Sequence, residues 1–150
     1  MKPFLPICFF ISALFFFPSF AHADEQVTVN QWTQQTLLDT LSVNYTEQAD
    51  DFAQIRANYT FDAWNGIVNF LGGYMNVIRA KQLTLHPVPA GDAQIIKSGT
   101  VSGINYWRIN QNITIPELGI ELFFSVLILA RDPSTGSPYI IQSMDIRKSP

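Results

Sequence analysis

Few residues in this chain are suited to acid–base or metal chemistry, and their spacing works against it. His86 is the only histidine beyond the first two dozen residues, which leaves no two-histidine metal site there. It falls on the side of Gln82 and Thr84 in an alternating stretch just before Pro87, and reads as a partly exposed strand histidine. Asp50-Asp51 is a carboxylate pair in sequence, but neighbours on a helix do not face one another, so a solvated helix face is expected. Glu121 opens the most apolar strand and Asp145 lies in the last one. Turned together into a concave sheet face they would share a cavity and hold the raised pKa values that acid–base catalysis needs. Strand parity does not bring them together, and an inward carboxylate there is expected to pair with a cation such as Arg108. Gly72-Gly73 reads as a helix stop and not as a phosphate cradle, because no helix carrying Lys-Ser/Thr follows closely. G-x-S-x-G, H-E-x-x-H, P-loop and dinucleotide glycine patterns are missing. No catalytic, cofactor-binding or metal residue is therefore singled out.

Composition narrows the classes further. Met1-Lys2, the apolar Phe-rich run Phe4–Phe20 and Ala21-His22-Ala23 have the order of an export signal, with cleavage expected after Ala23. The alternative is a retained membrane anchor, although Pro6 and Pro18 shorten the uninterrupted run below the roughly 20 residues that span a bilayer. Cleavage leaves residues 24–150 as one domain with one core. It also removes Cys8, the sole cysteine, so neither a disulfide framework nor a thiolate metal site is available. The formal net charge is −3 for the whole chain and one unit more acidic once Lys2 leaves. With no basic run longer than Arg147-Lys148, nucleic acid is excluded as a partner, and an anionic membrane surface is a poor one.

Two patterns divide the rest. Apolar residues first recur at helical spacing. Trp32, Thr36, Leu37 and Leu41 stripe a helix over Asn30–Val43 capped by Thr28 or Asn30. Asn-Tyr-Thr then occurs at 44–46 and again at 58–60. Both copies, like Asn112-Ile113-Thr114, have the form of glycosylation acceptors. Each of the first two is better read as a threonine cap with an acid in the following first turn. The helices so delimited run Glu47–Ala57 and Phe61–Leu71. From Lys81 the period becomes two. Strands are expected at Gln82–Val88, Gln94–Val101, Asn105–Ile115, Ile120–Arg131 and Tyr139–Lys148, the fourth central and buried on both faces. Pro116–Gly119 and Asp132–Gly136 are turns. Helices followed by antiparallel strands give an α+β domain, with helices packed on one face of a curved sheet. Trp32, Tyr45, Tyr59, Tyr74, Tyr106 and Tyr139 exceed what such a core needs. Most are expected along the helix–sheet seam, with hydroxyls bonded to Asn-rich loops, and the remainder at an interaction surface.

Over Trp32–Ile146 the chain resembles the DotI/IcmL family of type IVB (Dot/Icm) secretion systems. The resemblance is carried by Asn58-Tyr59-Thr60-Phe61-Asp62-Ala63-Trp64, Ala80-Lys81-Gln82-Leu83 ahead of Val88-Pro89, Gly99-Thr100-Val101, Tyr106-Trp107-Arg108-Ile109 and Leu127-Ile128-Leu129-Ala130-Arg131. It implies a nuclear-transport-factor-2-like fold. It also implies a non-enzymatic periplasmic scaffold that assembles with inner-membrane secretion subunits and with itself, and it brings no catalytic residue. Typical members carry a cytoplasmic tail and a transmembrane helix before this domain; here an export signal stands in that place. The competing class is an enzyme or small-ligand binder with a pocket between helices and sheet. A pocket holding Glu121 or Asp145 beside Tyr or His would favour it; a packed interior with an exposed apolar patch would favour the scaffold.

Overall fold

The computed structural model describes residues 20–150; residues 1–19, the bulk of the expected export signal, lie outside them. Helix α1 spans Phe20–Leu41, a 3-10 turn Ala49–Phe52 leads into the single turn α2, Ala53–Arg56, and α3 spans Phe61–Ala80. Five strands follow: β1 Val88–Pro89, β2 Gln94–Val101, β3 Ile104–Ile115, β4 Ile120–Ala130 and β5 Tyr139–Lys148. All pairings are antiparallel. β1 and β2 lie end to end along one edge of β3, and β4 and β5 follow on its other side. This is the expected α+β architecture. No helix among the described residues is long and apolar enough to cross a membrane.

The helices cover one face of the sheet. From α1 come Val29, Thr33, Thr36, Leu37, Thr40 and Leu41, and from α3 Ala63, Ile67, Leu71 and Ile78. They meet Trp107, Ile109 and Ile113 of β3, Leu122, Phe124, Val126 and Ile128 of β4, and Ile141 of β5. Two of the three threonines on this stripe bond their hydroxyls to carbonyls of the same helix. Thr33 Oγ1 donates to the Val29 carbonyl at 2.7 Å and Thr40 Oγ1 to that of Thr36 at 2.6 Å.

Several expectations are corrected. α1 starts ten residues before Asn30 and runs through Ala21-His22-Ala23, so Thr28 and Asn30 are mid-helix and cap nothing. The segment Glu47–Ala57 is not one helix. Thr46 turns back to Asn44 Oδ1, which takes its N–H and its hydroxyl at 2.9 Å each, and Gln48 becomes the cap, its N–H bonded to Asp51. Thr60 does cap α3, accepting from the Ala63 N–H. Gly72-Gly73 does not stop that helix. Two interior glycines cost about 2 kcal/mol together, and full burial of Ile78, about a turn and a half on, recovers about as much. The helix ends instead at Ala80, with Lys81 as its C-cap and Gln82 just beyond at φ 52°. The Gln82 N–H bonds the Arg79 carbonyl while that of Leu83 bonds Ile78, the Schellman arrangement.

Residues 82–87 alternate as expected but pair elsewhere. Tyr45 N–H donates to the Leu83 carbonyl and Leu85 N–H to that of Val43, forming one bridge to the loop after α1. The chain joins the sheet only at Val88. β4 is central but not buried on both sides: its residues alternate between buried and half-buried. Among the described residues no layer covers the outer face, where Phe123, Leu127 and Leu129 stand half-exposed.

Candidate functional site

Each chemistry-bearing residue has a separate structural partner. Glu117, in the β3–β4 turn, holds the segment ahead of β1: its carboxylate takes the His86 backbone N–H at 3.0 Å and meets His86 Nδ1 at 2.7 Å. Desolvation pushes that carboxyl up, but the N–H groups of His86 and Glu117 and the His86 ring outweigh it, and the pKa is lowered. His86 itself is largely exposed. Glu121 and Asp145 both lie on the open face. Cross-strand register puts Glu121 beside Thr114 and Asp145 beside Ser125, four residues apart along β4. Glu121 accepts from Asn112 Nδ2 at 3.0 Å, and Asp145 pairs with Arg147, not with Arg108. The structure does not bring them together. Asp50 and Asp51 are exposed, as expected. Among the described residues no cluster of His, Cys, Asp or Glu could hold a metal.

Of the aromatics named from the sequence, Trp32, Tyr59 and Tyr139 pack against the core between helices and sheet. Trp32 packs tilted and Trp107 edge-on against Tyr139, at ring-centroid distances of 5.4 and 5.6 Å. Tyr59 meets Trp64 edge-on at 5.5 Å. Its hydroxyl bonds Thr40 Oγ1 at 2.6 Å, so the partner is a helix threonine, not an Asn-rich loop. Burial pushes the Tyr59 phenol far above its ordinary value, although the Thr40 bond opposes the shift. Tyr106 lies on the open sheet face, its ring against Gly99, where an added Cβ would approach to 3.0 Å.

Two concavities larger than any described between helices and sheet lie elsewhere. A groove of about 400 Å³ separates the 43–56 segment from α3. Its floor is Ile67 and Leu71, its walls Phe52, Trp64, Val68 and Met75, and its rim carries Glu47, Asp50, Arg56 and Arg79. Gly72 lines it too, and a Cβ at Gly72 or Gly73 would touch nothing. A broader cleft of about 580 Å³ crosses the open sheet face between Val101, Ile104, Tyr106, Leu127 and Leu129, with Lys97 and Arg108 beside them. Neither holds Glu121, Asp145 or His86. Periodicity overlooked both. The groove needed α3 to pass through Gly72-Gly73, and the cleft needed β4 to be covered on one side only. The exposed-face apolar residues of β4 were the one signal available.

Neither a protein-family model nor a curated protein sequence matches the chain. Solved structures do. The periplasmic domain of DotI superposes with a TM-score of 0.69 at 16% identity, over 82% of this chain and 95% of that one. A periplasmic fragment of TraM gives 0.67 at 15%, over 87% and 99%. An IcmL-like type IV secretion system protein from Legionella pneumophila gives 0.60 at 14%, over 83% and 94%. The chain thus has the fold of these periplasmic domains, which is the fold that the resemblance in its motifs implies.

Proposed function

We propose that this chain is a DotI/IcmL-like periplasmic component of a type IVB secretion system, or a soluble paralogue of one. In this reading it acts without catalysis, as a module that docks other subunits. The likeness of the whole fold to three secretion-system domains, over four-fifths or more of the chain, carries the reading. The side-chain chemistry supports it. Glu121, Asp145 and His86 are each occupied in separate structural bonds, and the helix–sheet interior is packed with apolar side chains.

The helical groove is the docking site in this reading. Its apolar walls suit an aromatic or aliphatic anchor, and Gly72-Gly73 allow a partner backbone to approach α3 closely. The rim offers both signs of charge for register. Tagged full-length chain is expected to recover inner-membrane secretion subunits from envelope extracts. Gly72→Leu, which fills the groove from an exposed helix position, should lower that recovery at least tenfold without lowering thermal stability. Consistent absence of secretion subunits from the wild-type sample would overturn the reading. Equal recovery by Gly72→Leu would move the interface away from the groove.

A further inference from the structure

The β2–β3 hairpin and the start of α1 occupy the same end of the molecule. Asn105 Nδ2 donates to Glu25 Oε1 at 3.5 Å, and Glu25 and Gln26 share a small cavity with Ser98, Gly99 and Thr100. α1 begins at Phe20, where the apolar run Phe4–Phe20 ends. The hairpin tip therefore stands where that run joins the domain.

The tip is unusual for a surface turn. Val101 and Ile104, cross-strand partners on either side of Ser102-Gly103, are 63% and 47% exposed. On the same face the next pairs are Gly99–Tyr106 and Lys97–Arg108. Lys97 and Arg108 make no ion pair among the described residues, and no carboxylate lines the cleft beside them. An apolar point backed by two free cations results, on a chain whose net charge is negative.

We infer that this hairpin face rests on an anionic bilayer surface while the apolar run remains attached. Val101 and Ile104 enter the boundary between headgroups and acyl chains, and Lys97 and Arg108 reach lipid phosphates. The spacing suits both tasks. The cations stand four residues behind the tip, about 13 Å along the strand, and interfacial elements bury their apolar side about 5–10 Å deep. Long basic side chains span the difference by snorkelling. Two cations and two apolar side chains orient a domain already held at the surface but are too few to anchor a free one. The whole-chain charge argues only against long-range attraction, which an attached domain does not need. The inference is independent of which protein fills the helical groove.

The test uses the full chain made by cell-free synthesis into vesicles of phosphatidylethanolamine and phosphatidylglycerol, with Cys8→Ser and one new cysteine for an environment-sensitive fluorophore. Ser102→Cys reports on the tip and Pro150→Cys on the opposite end of the sheet. A lipid-borne quencher near the headgroups is expected to quench the tip label several-fold more than the Pro150 label. Lys97→Glu with Arg108→Glu, or replacement of phosphatidylglycerol by phosphatidylcholine, should bring the two close together. Equal quenching at both ends overturns the inference. So does tip quenching indifferent to charge reversal and to lipid charge, and so does a blue-shifted but unquenched tip label, which would mean contact between protein copies.

Discussion

Tyr59 concentrates three demands in one side chain. Its backbone sits between α2 and α3 and forms a parallel bridge with Ile141 of β5. Its ring supports Trp64 beneath the groove. Its hydroxyl, 6% exposed as a residue, must find a partner inside. Since the Thr40 hydroxyl already donates to Thr36, Tyr59 is the donor in the pair and Thr40 the acceptor. Removing the acceptor is worse than removing the donor, because it leaves a buried O–H unpaired. Thr40→Val is expected to cost about 2 kcal/mol and Tyr59→Phe about 1, measured by urea unfolding. The raised phenol pKa adds a pH signature. The folded state keeps the proton longer than the unfolded chain, so stability is fully present below the unfolded value near 10 and falls as pH rises beyond it. Tyr59→Phe should flatten that alkaline loss; an unchanged slope would mean that Tyr139, also raised by burial and by Glu25, carries it. The sequence marked Tyr59 as an aromatic in excess of the core's needs. It could not supply Thr40, because nineteen residues and a chain reversal separate them.

At the scale of elements, legibility followed local chemistry. β2 and β5 were readable to the residue, and β3 and β4 nearly so, because alternation ran between strong turn residues. α1 reads short because Thr28 and Asn30 look like a cap in sequence and Ala21-His22-Ala23 before them look like the end of an export signal, whereas the helix runs through both. Gly72-Gly73 misled because burial of Ile78 beyond them offsets glycine's backbone cost. Two positions show local strain the fold tolerates. Gln82 and Ser102 both hold φ 52°, a left-handed conformation that suits Gly or Asn. Ser102-Gly103, both at positive φ, form the two-residue hairpin loop for which Asn-Gly is preferred. Gln82→Gly and Ser102→Asn are each expected to stabilise by about 0.5–1 kcal/mol. Gly73→Ala should add about as much, since the new Cβ meets nothing. A loss of stability at Gln82→Gly, read by thermal unfolding, would mean that the Gln side chain contributes contacts outweighing its strain. Gly99 points the other way: Gly99→Val drives a side chain into the Tyr106 ring, and a cost of about 1–3 kcal/mol is expected.

For the whole molecule, the question is where the folded unit starts. The α+β order, with one core between helices and sheet, was legible from the change of period at Lys81. That the helices leave the outer face bare was not, because an apolar strand reads alike whether covered on one side or two. α1 runs unbroken through the expected cleavage point, and among the helix residues whose burial is described Val29 is the first that is fully buried. A cut after Ala23 therefore shortens the helix by about one turn and leaves that packed stripe whole. Residues 24–150 are expected to unfold in one cooperative transition, with a midpoint within about 2 °C of the full chain. Starting instead at Thr33 removes Val29 and the ring contact of Trp32 with Tyr139. Those losses come to about 2–4 kcal/mol, or about 10 °C for a domain of this size. Calorimetry on the two shortened chains separates the possibilities. Aggregation of 24–150 without a partner would mean that the domain needs another subunit to fold. An unaltered midpoint for the chain starting at Thr33 would mean that the first turns of α1 add nothing to the core, leaving them free to serve the surface formed with the β2–β3 hairpin.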